Sequence, residues 1–146
     1  MLKAMMFLAG SFPDLSLLDL SGTLVSGTIP ASWGAATAFP SLLLLYLNHT
    51  QLAGSLPAFN NTQLSLLIAS NSSFSGNLDA FWGSAAPLMA SLLAGNNISG
   101  DLPGNASALP NLAFLDAFPV ESGSGQRRLK ASCNQDSQDR QRYLDS

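Results

Sequence analysis

Between Lys3 and Arg127 the chain contains no lysine and no arginine. A surface built from that stretch cannot neutralise phosphates or release their counterions, which argues against nucleic-acid binding by the body of the protein. Attraction to an anionic membrane surface is disfavoured for the same reason. Charge of either sign is scarce. Asp, Glu, Lys and Arg together make up 10% of the 146 residues, against roughly 25% in ordinary soluble domains. Within residues 12–118 the only charges are Asp14, Asp19, Asp79, Asp101 and Asp116.

Cysteine is also nearly missing. The single thiol, Cys133, allows no internal disulfide framework, the usual mark of a small secreted domain. No run approaches the ~18 apolar residues of a membrane span, so insertion into a membrane by this chain itself is not expected. LLLLYL (42–47) is far too short. The apolar lead within residues 1–11 holds one lysine; it reads as the end of a preceding repeat, a cap, or a weak signal segment.

Catalytic groups are equally sparse. A nucleophile needs a base and an orienting partner, yet His49 is the only histidine and lies far along the chain from Cys133. No HExxH, GxSxG, phosphate-binding loop or CxxC occurs. The aspartates fall one or fewer per repeat, which supports neither paired-carboxylate chemistry nor a calcium cage. The expectation is a non-enzyme with no metal and no cofactor.

What the chain does have is a recurring phrase. LSGTLVSGTIP (20–30), LNHTQLAGSLP (47–57), ASNSSFSGNLD (69–79) and LAGNNISGDLP (93–103) align on Gly27, Gly54, Gly76 and Gly100, spaced 27, 22 and 24 residues apart. Each copy runs LxxLxL, two residues, a polar side chain, x, apolar, x, Gly, x, apolar, then Pro or, once, Asp79. The polar slot holds Thr23, Thr50, Ser72 and Asn96. A fifth copy begins at Leu112 and Leu115. The LxL core places every second side chain inward in a short strand. One such strand buries too little apolar surface to stand alone, so several must stack in parallel to share a core. The glycine permits a positive φ or a tight reversal, and the proline fixes an extended segment.

Over residues 12–118 this phrase resembles the leucine-rich repeat, in its plant-type form with an LxGxIP half; LSGTLVSGTIPASW is also similar to repeats in trypanosomatid surface antigens. The resemblance implies an α/β solenoid: a right-handed superhelix of about four to five repeats, with short parallel strands on the concave face and little helix. It implies stacked asparagines that hydrogen-bond the turning backbone, where this chain has only Asn96 and three shorter hydroxyls. Paired-cysteine caps of such ectodomains are absent, so the solenoid ends are expected to be uncapped and open to association. Trp33 and Trp82 read as packing on the convex side rather than as ligand contacts. Residues 119–146 are polar and read as a disordered tail, with QRRLK (126–130) as a solvated basic stretch.

The template places three outward columns along the strands. One is Leu17, Leu44, Leu66, Ala90 and Phe114; the second is Asp19, Tyr46, Ile68, Leu92 and Asp116; the third is Ser21, Asn48, Ser70, Ala94 and Phe118. From these, Leu17, Asp19, Leu44, Tyr46, Asn48, Leu66, Ile68, Ser70, Leu92 and Asp116 are the candidate ligand-binding residues. The middle rungs are unusually apolar for a water-facing sheet, which marks an interaction site unless the phase of the LLLLYL and LSLLIA runs is off by one. Asn48, Asn60, Asn71, Asn97 and Asn105 head N-x-Ser/Thr sequons, five where this composition gives roughly two by chance. They point to a glycoprotein of the extracellular or cell-surface compartment. The expected function is recognition of a protein, peptide or glycan by a receptor-like or secreted surface protein. The alternative is a structural element: a glycosylated wall protein or a cytoplasmic, cytoskeletal or ciliary scaffold.

Overall fold

A computed structural model describes residues 12–60, 63–78, 81, 87–99, 111–116 and 130–132. The LxL cores are strands. β1 (Leu17–Asp19), β3 (Leu44–Tyr46), β5 (Leu66–Ile68), β7 (Ala90–Leu92) and β9 (Phe114–Asp116) stack in parallel into one sheet, in chain order. The intervening β2 (Ser26–Thr28), β4 (Gln51–Gly54), β6 (Ser73–Asn77) and β8 (Asn97–Ser99) stack in parallel into a second sheet. Each repeat is therefore one coil that contributes a strand to each sheet. The repeat pattern predicts strands on the concave face only, so the second sheet is an addition to it.

The period-2 phase holds. Leu45 and Leu67 are fully buried while Leu44, Tyr46, Leu66 and Ile68 are half-buried on the other face, so no one-residue slip occurs. The core is a stack of equivalent rungs: Leu42, Leu64, Leu88 and Leu112 start each coil, and Leu47, Ala69 and Leu93 follow each strand. Burying one such leucine is worth about 2 kcal/mol relative to leaving it in water, which a single coil cannot achieve for its own strand. Trp33 packs edge-on against Phe39 at 5.2 Å and Phe59 against Phe81 at 6.3 Å, filling the side of the core away from the first sheet. Trp33 is 3% exposed, so it is a packing residue; Trp82 lies outside the described residues.

The turns repeat as well. Gly22, His49, Asn71 and Gly95 occupy one slot with φ of 66°, 54°, 51° and 72°. The N–H groups of Gly22, His49 and Asn71 donate to Asn48, Ser70 and Ala94 of the next coil, which prolongs the ladder around the bend. Gly27, Gly54 and Gly76 also have positive φ, as the pattern required. Gly34 is needed for closeness instead: a Cβ there would collide with the Ala58 carbonyl oxygen. It ends the one 3₁₀ turn among the described residues, Ala31–Gly34.

The polar slot behaves according to side-chain capacity. Asn96 donates to Ala69 O and Leu93 O (2.7 and 2.8 Å) and accepts from Phe74 N at 3.0 Å, tying two coils together. Ser72 donates to Leu47 O at 3.0 Å and accepts from Thr50 N at 3.2 Å. Thr23 reaches only Leu20 O, within its own coil, at 2.7 Å. A hydroxyl has one proton where the amide has two, so the bracing weakens from Asn96 to Thr23.

One strand falls in the segment expected to be a disordered tail. β10 (Lys130–Ser132) pairs antiparallel with β9, with Lys130 opposite Asp116, Ala131 opposite Leu115 and Ser132 opposite Phe114. The C-terminal edge of the first sheet, expected to be uncapped, is thus covered by the chain itself.

Candidate interaction surface

The outward columns are aligned by the strand register. Leu17 stands beside Leu44, Leu66, Ala90 and Phe114, and Asp19 beside Tyr46, Ile68, Leu92 and Asp116. Asn48, Ser70 and Ala94 extend the third column through their carbonyls, each accepting the bend N–H described above. All ten candidate binding residues therefore lie on one face; Phe118, which the template adds to the third column, lies outside the described residues.

The face is graded across the strands. The first column is apolar and is open on the outer strands β1 and β9, with Leu17 and Phe114 each 46% exposed. The centre, made of Leu44, Tyr46, Leu66, Ile68 and Leu92 on β3, β5 and β7, is half-buried. The far side carries the smaller, mostly polar Ser21, Asn48, Ser70 and Ala94.

Two residues belong to this surface that sequence reasoning passed over. Leu43 and Met89 precede β3 and β7 and are 41% and 55% exposed. A repeated backbone feature puts them there. Ser16 O accepts from both Leu43 N and Leu44 N, and Leu43 O, Ser65 O and Met89 O each accept from two successive N–H groups of the following coil. This shared acceptor displaces one residue from the pleat before β3, β5, β7 and β9. The signal available beforehand was the four-leucine run 42–45, which alternation alone cannot divide into inward Leu42 and Leu45 and outward Leu43 and Leu44.

Charge appears at the two ends of the second column. The Asp19 carboxylate takes two bonds on Oδ1, from Ser21 N at 2.8 Å and Ser21 Oγ at 2.5 Å. Those two bonds, the hydroxyl first, hold its pKa below the ordinary aspartate value. Asp116 sits four strand steps away at the other end of the column. At ~4.8 Å per step that is ~19 Å, too far for the two acids to share a proton. Among the described residues no three His, Cys, Asp or Glu side chains come together as a metal site would require. His49 is exposed at the bend after β3.

The sequon asparagines differ in access. Asn60, Asn71 and Asn97 are exposed, Asn48 is half-buried in the third column, and Asn105 lies outside the described residues. The Thr50 hydroxyl of the Asn48 sequon is buried and donates to Leu47 O at 2.9 Å.

No family model matches the chain, and no curated protein does. Solved structures do. The chain resembles the leucine-rich-repeat ectodomain of the receptor kinase SOBIR1 from Arabidopsis thaliana, with 26% identity and a TM-score of 0.63 over 77% of this chain and 64% of that one. It also shares the fold of the BIR2 ectodomain from Arabidopsis thaliana, with 24% identity and a TM-score of 0.51 over 80% of this chain and 59% of that one. The parallel coils thus form a solenoid with the fold of these plant leucine-rich-repeat ectodomains. The chain spans roughly three fifths of the length of the ectodomains it matches (64% and 59%).

Proposed function

We propose that this protein is a non-catalytic recognition module that captures a protein or peptide on the outward face of its first sheet, the face that is concave in such solenoids. One observation carries the reading. The residues that alternate outward along three successive strands are Leu44, Tyr46, Leu66, Ile68 and Leu92, where a sheet meant only to face water would carry polar side chains. Tyr46, on β3 between Asp19 and Ile68 in the register, is the residue type most often found anchoring partners. Its half-burial leaves the ring ordered before binding, which lowers the entropy cost of association.

The likeness to receptor ectodomains supports a receptor-like role in the extracellular or cell-surface compartment. The exposed Asn60, Asn71 and Asn97 suit N-linked glycans, whereas a glycan on Asn48 would stand within the recognition face itself. Glycan ligands fit less well, because the centre of the face offers few hydrogen-bonding groups.

The test is affinity capture from the secreted fraction of the native host with wild type and with a Tyr46→Ala/Ile68→Asp double variant. Both side chains stand outside the core, so the variant keeps its β-sheet circular dichroism and cooperative melting. The expected result is a partner retained by wild type and reduced about tenfold or more by the variant. Equal retention of every partner by the two proteins overturns the reading.

A further inference from the structure

We infer that the partner of this face is an extended peptide that places a lysine or arginine over Asp19 and apolar side chains over Tyr46, Ile68 and Leu92. The inference rests on the recognition reading above and adds the chemistry of the ligand.

Three features of the site point to it. The Asp19 carboxylate is exposed, and both Ser21 bonds fall on Oδ1, so the group is fixed in direction while Oδ2 takes no bond from the described residues. The other carboxylate of the column, Asp116, already stands opposite Lys130 in register. Asp19 has no such neighbour, since the described residues hold no lysine or arginine besides Lys130 at the far edge of the sheet. A fixed anion at one end of an apolar strip, in a body devoid of cations, complements a ligand of the opposite pattern.

The spacing selects the ligand's form. Across the sheet, Ile68 lies two strand steps (~10 Å) and Leu92 three steps (~14 Å) from Asp19. In an extended peptide, side chains on one face recur every ~7 Å. A cation at position i over Asp19 therefore brings i+2 between Tyr46 and Ile68 and i+4 over Leu92. The motif is cation-x-apolar-x-apolar.

The experiment titrates the full chain, isotopically labelled, with acetyl-Arg-Ser-Leu-Ser-Val-amide and separately with acetyl-Glu-Ser-Leu-Ser-Val-amide at low salt. The amide shifts of β1, β3 and β5 are followed. The Arg peptide is expected to shift Asp19, Tyr46 and Ile68, and the Glu peptide to bind more weakly. Asp19→Asn, which retains an oxygen for the Ser21 bonds, is expected to weaken the Arg peptide about three- to fivefold, and added salt to do the same in wild type. Equal binding of the two peptides, indifference to Asp19→Asn, or no binding of either peptide to this face overturns the inference. If Tyr46→Ala/Ile68→Asp abolishes binding of both peptides while Asp19→Asn changes neither, the face is a recognition surface and only the cationic anchor fails.

Discussion

Ser91 shows what one side chain is worth in a stack. It stands at the centre of β7, in the inward row filled elsewhere by Leu18, Leu45, Leu67 and Leu115, and it is fully buried. Its hydroxyl has no hydrogen-bond partner. Burying an unpaired hydroxyl costs more than it returns, so removing it relieves the core. Ser91→Ala is expected to stabilise the protein by about 1 kcal/mol, raising Tm by about 3 °C in scanning calorimetry. A lower Tm would mean that the hydroxyl is bonded after all. His49 is the converse case, a side chain held at φ 54° in a bend where two of the other three positions are glycine. That conformation costs an ordinary residue roughly 1–2 kcal/mol, which the hydrogen bond from His49 N to Ser70 O helps to offset.

At the scale of the element, the strands of the first sheet were legible because Leu-x-Leu alternation and the polar slot agree on one phase. Leu45 and Leu67 landed inside and Tyr46 and Ile68 outside, as the template requires. The second sheet was present in the letters too, in Gln51–Leu52–Ala53 and Ser73–Phe74–Ser75, but glycine and proline beside those short alternations favour turns in isolation. Only stacked copies of the same extended segment convert them into strands, a cooperative effect no single repeat reveals. β10 was illegible for another reason. Its three residues, Lys130–Ser132, offer no apolar alternation to read, and it pairs along the edge of β9 with Lys130 opposite Asp116. Lys130→Glu puts like charges opposite each other at the capping strand, and the loss of stability is expected to be about 0.2–1 kcal/mol by urea unfolding. Adding Asp116→Lys to that variant restores the pair and recovers the loss. If the double variant is no better than the single one, the register of β10 is not set by this pair.

For the whole molecule, the solenoid turns a weak local signal into a rigid surface. Each coil alone is unstable; stacked, the coils hold the outward columns at fixed ~4.8 Å steps, and that regularity is what an extended partner would read. Exposed Leu43 and Met89 widen the apolar strip at its start, and the near absence of charge leaves Asp19 and Asp116 as its ends. All of this depends on coils stacked in parallel in the stated register. The direct measurement is disulfide formation between introduced cysteines in a Cys133→Ser background, scored by mass spectrometry after mild oxidation. Leu44→Cys with Leu66→Cys, and Tyr46→Cys with Ile68→Cys, are partners in register and are expected to cross-link. Leu44→Cys with Ile68→Cys lies on a diagonal of ~8 Å, beyond disulfide reach, and is expected to remain reduced. Cross-linking of the diagonal pair in preference to the two in-register pairs would contradict the stacking, and with it the proposed recognition face.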